Sequence, residues 1–220
     1  MSLFITFEGG EGSGKTVQAR ALYRRLLRLG VPAVLVHEPG GTGVGRRIAR
    51  WLKWDRSMGL SPVAELLLFN ASRAQLVSEV IEPALEAGKV VICDRFADST
   101  MVYQGYGRGL DREMVGRVNN IGTGGLCPAL TVLLDIPVDD GFARVAGRTR
   151  DRFEREEAAF HRRVREGYLA LAAAEPGRWL VIDGRLPRGE VARMVWTRVT
   201  ATLGNSGRTV SEGHAEVDRD

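Results

Sequence analysis

The pattern of apolar and polar positions alternates between two periods along the chain. Runs that are apolar at nearly every position fall at 3–7, 33–37, 89–93, 130–135 and 179–182. Continuous rather than alternating runs of this kind predict strands buried on both faces of a parallel sheet. Between them, apolar residues recur at helical spacing over about 15–29, 44–54, 61–87, 111–120, 137–147, 153–174 and 187–203. Gly30 and Gly88 are placed to stop two of these helices, and Ser61-Pro62 to start a third. The pattern predicts an α/β fold with a five-stranded parallel sheet covered by helices on both faces. From 205 to 220 the chain is polar and has no apolar period. That stretch is expected to be a disordered tail, leaving one domain over 1–204.

Composition narrows the function classes. The hydrophobic fraction of 44% and charged fraction of 26% are those of a soluble globular protein. No apolar run approaches the ~20 residues of a membrane helix, and the first residues show no leader pattern. A cytoplasmic protein with no membrane partner is expected. Cys93 and Cys127, with His37, His161 and His214, have neither disulfide-scaffold nor zinc spacing. The net charge of +4 and pI of about 9.4 could suggest nucleic acid. The arginines are spread over many helices, however, so no nucleic-acid partner is expected.

The first strand run leads directly into Gly9-Gly10-Glu11-Gly12-Ser13-Gly14-Lys15-Thr16, which matches G-x-x-x-x-G-K-[ST] between a strand and a helix. Glycines let successive N–H groups turn inward on an anion, and the following helix adds its dipole. These eight residues are the expected ATP phosphate site. Lys15, one of three lysines in an arginine-rich chain, supplies a compact charge for the outer phosphates. Thr16 supplies a hydroxyl for Mg²⁺. N-K-x-D and D-x-x-G motifs are absent, which argues against a GTPase.

Further segments carry chemistry of their own. Phe69 and Arg73 are four residues apart on one helix and share a face. A ring beside a guanidinium makes a platform for a base. Asp94 and Arg95 end the third strand, where Asp94 can orient Mg²⁺ and Arg95 can clamp an acceptor phosphate bidentately. The turn in "HEPGGT" brings Glu38 within reach of a sugar or Mg²⁺. Arg148, Arg150 and Arg152 lie at a turn between helical patterns, over about 147–154. They are expected to form a short mobile lid that brings charge to a moving phosphoryl group. Arg155, Arg162, Arg163 and Arg165 are read instead as part of a solvated face with nearby acids.

Together with "LLLFNASRAQLV" and "DRFADSTMVYQGYGRG", these segments resemble those of the thymidylate kinases, which transfer a phosphoryl group from ATP to dTMP. The likeness runs to about residue 203. It implies a P-loop NTPase fold, Mg²⁺ dependence and a homodimer. It places Phe69 on the thymine and Arg73 at its edge, with Glu38, Arg95, Ser99, Tyr103 and Gln104 completing the dTMP site. Asp98, Ser99, Tyr103 and Gln104 match the family's D-S-x-x-x-Y-Q, and Tyr103 would crowd the sugar's 2′ position. Lys15, Glu11, Arg95 and the three lid arginines form the expected catalytic set. The phosphate loop lacks arginine, which matches the branch of the family that relies on its lid. Three positions depart from the family pattern: His37 replaces a usual arginine, Val17 a second hydroxyl residue, and "CPALT" the frequent P-D-L-T. The alternatives are a kinase for another nucleoside monophosphate or a deoxynucleoside, and a P-loop ATPase that is not a kinase.

Overall fold

The five apolar runs are the strands of one sheet: β1 (Leu3–Glu8), β2 (Ala33–His37), β3 (Val90–Asp94), β4 (Leu130–Asp135) and β5 (Trp179–Asp183). The computed structural model describes residues 2–55, 59–147 and 149–211, with side chains as far as 204. All pairings are parallel and the strand order is β2-β3-β1-β4-β5. β1 is central, with Phe7 opposite Asp94 of β3 and Val132 of β4. The chain leaves β1 for β2 on one side and later reaches β4 on the other. The crevice at the strand C-termini beside β1 is therefore the topological switch point, where open α/β sheets bind ligands.

The period of two along β1 divides its side chains between two cores. Leu3, Ile5 and Phe7 pack with Ala19, Leu22 and Leu26 of α1 (Lys15–Arg28) and with Val191, Val195 and Val199 of α9 (Arg188–Ser211). On the opposite face Phe4 packs with Leu76, Ile81 and Phe96. Thr6, also on that face and fully buried, shares a 2.9 Å hydrogen bond with Thr131. Glu8 continues the same alternation and is carried into the interior at the end of the strand.

The other helices are α2 (Gly43–Trp54), α3 (Pro62–Leu76), α4 (Glu82–Glu86), α5 (Ala97–Thr100), α6 (Arg112–Thr123), α7 (Val138–Arg144) and α8 (Ala158–Ala174). Three differences from the sequence pattern matter for the site. The stretch expected as one helix over 61–87 contains a π-helical turn, Val77–Ile81, just before Pro83. Proline has no N–H to continue the ladder, and the wider turn accommodates this. Tyr103 and Gln104 are not loop residues, because α5 runs into a π-helical segment, Met101–Gly107. The helix expected from 153 begins only at Ala158, because Asp151 Oδ1 accepts from the N–H groups of Phe153 and Glu154 and holds a turn there. At the C-terminus α9 continues to Ser211, so the first residues of the expected tail extend a helix already nucleated by its packed part. The rest of that tail lies outside the described residues.

Candidate active site

A cavity of about 950 Å³ opens at the switch point. Its floor is the phosphate loop. Gly9, Gly12 and Gly14 all have positive φ, and a Cβ on Gly12 would lie 2.1 Å from the carbonyl oxygen of Gly141. Glycine is required there by both backbone conformation and space. Lys15 is 7% exposed and donates to Gly10 O (2.7 Å) and Ser13 Oγ (3.3 Å). Burial, and then the nearby charge of Arg95, lower its pKa to about 8. At the start of α1, Thr16 Oγ1 donates to Asp94 Oδ2 at the end of β3. A hydroxyl and a carboxylate side by side are hard oxygen donors suited to Mg²⁺, which takes few protein ligands and completes its shell with phosphate and water. Among the described residues no group of three or more His, Cys, Asp or Glu side chains that could hold a metal ion occurs.

Arg95 joins this loop to α5 and α8. It adopts φ 72, unusual for a residue with a side chain, and this turns its guanidinium back across the sheet end. Nη1 donates to Gly9 O (3.2 Å), Ser99 Oγ (3.3 Å) and Tyr168 Oη (3.3 Å), and Nη2 donates to Glu11 Oε1 (2.7 Å). Tyr103 Oη also donates to Glu11, at 2.9 Å. Burial opposes the charge of Glu11, but Arg95 and then Lys15 outweigh it and hold the pKa down to about 2.

Behind Arg95 lies Glu8, fully buried, accepting from Phe96 N (2.8 Å), Ser99 Oγ (2.6 Å) and Tyr168 Oη (2.8 Å). Burial, and then the negative charge of Asp98, push its pKa up to about 7. Asp98 itself is turned away from the cavity, bound by Arg178 at 2.7 and 3.0 Å.

Phe69 and Arg73, four residues apart on α3, both line the cavity, as their helical spacing predicts. Arg73 is 1% exposed, and each of its N–H groups has a protein acceptor. Nε donates to Glu38 (2.9 Å), Nη1 to Asn70 (3.0 Å) and Asn119 (2.9 Å), and Nη2 to Phe96 O (3.2 Å) and Thr100 Oγ1 (2.7 Å). Direct donation from Arg73 to a base carbonyl, as expected from the sequence, would require one of these bonds to break. Facing Phe69, at a centroid distance of 5.5 Å, is Phe153 from the segment expected as the lid. His37 sits beside the phosphate side of the cavity. Burial and then Lys53 lower its pKa from the usual 6.5, so at neutral pH it does not replace a positive charge there.

The expected lid arginines part company. Arg152 is bound to Glu65 and to Leu52 O (3.1 Å). Arg150 lies 5.0 Å over the Phe142 ring. Arg148 falls outside the described residues. Contrary to the expected solvated face with nearby acids, Arg165 ties α8 to Asp135 at the end of β4 at 2.7 Å, and Arg163 donates to Gly107 O at 2.9 Å.

A family model described as thymidylate kinase matches residues 7–195. This chain belongs to the thymidylate kinase family. It is 53% identical over 204 residues to the thymidylate kinase of Dehalococcoides mccartyi strain CBDB1, covering 93% of this chain and 98% of that one. It is 48% identical over 199 residues to that of Deinococcus radiodurans, covering 90% and 96%. A crystal structure of thymidylate kinase from Ehrlichia chaffeensis superposes with a TM-score of 0.74 at 34% identity, covering 90% of this chain and 98% of that one. The fold is thus the P-loop NTPase fold of the thymidylate kinases. Several side chains that organise the site carry no local sequence signal of a role: Glu8, Glu65, Thr100, Asn119 and Tyr168. Arg144, Gly184 and Arg188 extend the cavity past the phosphate loop toward α9 and were likewise not marked by any motif.

Proposed function

We infer that this protein transfers the γ-phosphoryl group of ATP to dTMP, giving ADP and dTDP. One observation carries the reading: a loop built for a triphosphate and a face offering Phe69, Gln104 and Arg95 line a single cavity. In it donor and acceptor phosphates can meet with no covalent intermediate. Phosphoryl transfer of this kind is catalysed by positioning and by neutralising charge on the transferred oxygens. Gly9 to Thr16 would hold the ATP phosphates, and Lys15 would follow the moving charge. Thr16 and Asp94 would hold Mg²⁺, which when bound screens charge on the phosphate oxygens. Arg95, fixed by Glu11, would grip the acceptor phosphate, and Arg150 is the described lid arginine best placed to add charge. Phe69 would stack on the thymine, while Glu38, Arg73, Ser99, Tyr103 and Gln104 would frame the base and deoxyribose.

The reading extends to organisation. One kinase domain would span about 1–204, with its lid at about 147–154, in a cytoplasmic homodimer. Exposed apolar side chains on α2, α3 and α6 support the dimer, with Trp54 at 52%, Leu67 at 53% and Ile121 at 79% exposure. Among the described residues no helix is long and apolar enough to cross a membrane. The test of function is ADP release with dTMP, dUMP, dCMP and thymidine as acceptors. The highest kcat/KM should be with dTMP, and turnover on thymidine without turnover on dTMP would defeat the reading.

A further inference from the structure

Glu8 ends β1 fully buried, and none of the roles assigned above uses its carboxylate. That carboxylate is joined to one unusual turn. Arg95 takes φ 72, and its own N–H still donates to Phe7 O at 3.0 Å, in line with the pairing of β1 and β3. The next N–H, of Phe96, has left the ladder and donates to Glu8 Oε1 at 2.8 Å. The Phe96 ring is buried against Phe4, with centroids 4.9 Å apart. The left-handed turn that sends Arg95 back over the sheet end is therefore held by β1 backbone on one side and by Glu8 on the other.

The other oxygen of Glu8 reaches the Arg95 side chain through two hydroxyls. Ser99 Oγ donates to Oε2 at 2.6 Å, and Tyr168 Oη donates to it at 2.8 Å. Each hydroxyl has one proton, and a charged carboxylate takes both in preference to the 2.9 Å contact between the hydroxyls. Both oxygens are then left as acceptors, and Arg95 Nη1 donates to each at 3.3 Å. Nη2 is held by Glu11, which lines the cavity, whereas Glu8 lies behind it. The guanidinium is thus aimed from both sides.

We propose that Glu8 is a positioning residue for phosphoryl transfer: through Phe96 N–H, Ser99 and Tyr168 it fixes the turn and the direction of the guanidinium that grips the acceptor phosphate. The inference rests on the reading of Arg95 as that grip. A neutral amide in place of Glu8 keeps the shape and loses the polarity. Its oxygen can still accept from Phe96 N–H. Its NH₂ then competes with Arg95 for the lone pairs of Ser99 and Tyr168 and displaces their protons toward a guanidinium that is itself only a donor.

The test measures, by calorimetry, the affinity of wild type, Glu8→Gln and Tyr168→Phe for dTMP and for thymidine, which has the same base and sugar without the phosphate. At pH 8.5, above the Glu8 pKa of about 7, the wild-type carboxylate is charged. Glu8→Gln should weaken dTMP binding at least ~10-fold, as expected for a lost hydrogen bond to a charged group, while thymidine affinity holds within about twofold. Tyr168→Phe keeps Glu8 but breaks one of the two hydroxyl links. It should shift the dTMP-to-thymidine ratio in the same direction by ~3-fold or more, which keeps the test open if Glu8→Gln does not fold. Equal losses on both ligands, or no loss on dTMP, would make Glu8 a structural tie and overturn the inference. A wild-type protein that binds thymidine as tightly as dTMP would instead defeat the reading of Arg95 on which it rests.

Discussion

Arg95 Nη2 donates to Glu11 Oε1 across 2.7 Å, tying the residue that follows β3 to the middle of the phosphate loop. Both side chains are 17% exposed, so the pair faces the cavity while remaining shielded on the protein side. Glu11→Gln keeps the shape and removes the charge that holds Arg95. A hydrogen bond between charged groups is worth about 1.5–3 kcal/mol. Turnover is expected to fall by roughly 10- to 100-fold, with ATP affinity little changed. Steady-state kinetics with separate titration of each substrate checks this, and a variant within twofold of wild type would remove Glu11 from the catalytic set.

The lowered pKa of Lys15, about 8, gives ATP binding a pH dependence. Phosphates favour the ammonium form, so binding ATP near pH 8 should draw a proton onto Lys15. Affinity should weaken as pH rises through 8. Calorimetry in two buffers of different ionisation enthalpy measures the uptake directly, and Lys15→Met should abolish it. The same variant should lower turnover at least ~100-fold by losing a transition-state charge contact. Equal proton uptake in wild type and Lys15→Met would show that another group is responsible.

Glu8 affects stability in the opposite sense from a paired surface carboxylate. Its pKa is raised from 4.5 to about 7, so between these values the folded state binds a proton that the unfolded chain has lost. This contribution is full below pH 4.5 and declines as pH rises through 7, to an extent of about 3 kcal/mol at most. Glu8→Gln should remove that slope. Urea denaturation from pH 5 to pH 8.5 should show the variant gaining on wild type as pH rises, whereas parallel curves would contradict the burial of an ionisable group here.

Arg150 and Arg152 should fail differently. Arg150 lies over Phe142 and has no carboxylate partner among the described residues. Arg150→Ala should lower turnover ~100-fold while leaving dTMP binding intact, the pattern of a contact made only in the transition state. Arg152 anchors the segment to Glu65 and Leu52 O, so Arg152→Ala should also speed proteolysis between 147 and 157. Identical profiles for the two variants would contradict this division, and Arg162→Ala should be near neutral.

Local signals explain why so much could be read in advance. The strand, glycines and helix of the phosphate loop are contiguous from Leu3 to Arg28, and Phe69 and Arg73 line one cavity because helices set fourth neighbours on one face. The helix at 97–107 was hidden by Gly105, Gly107 and polar residues of low helix propensity. It is held by tertiary packing, since a Cβ on Gly107 would lie 2.6 Å from the Phe160 ring. The supporting network was hidden by distance along the chain. Tyr168 reaches Glu8 across 160 residues, and Arg152 reaches Glu65 across 87. Buried carboxylates also lack any composition signal, because a glutamate ending an apolar strand reads in sequence as the point where burial stops.

The central claim is that one cavity lets the γ-phosphoryl group pass directly from ATP to dTMP. A single-turnover reaction with ATP labelled in its γ-phosphate, enzyme in excess and dTMP present tests it most directly. The label should pass from ATP to dTDP with no labelled protein at any time and none released as inorganic phosphate. Label appearing first on the protein, or going to inorganic phosphate irrespective of dTMP, would contradict it.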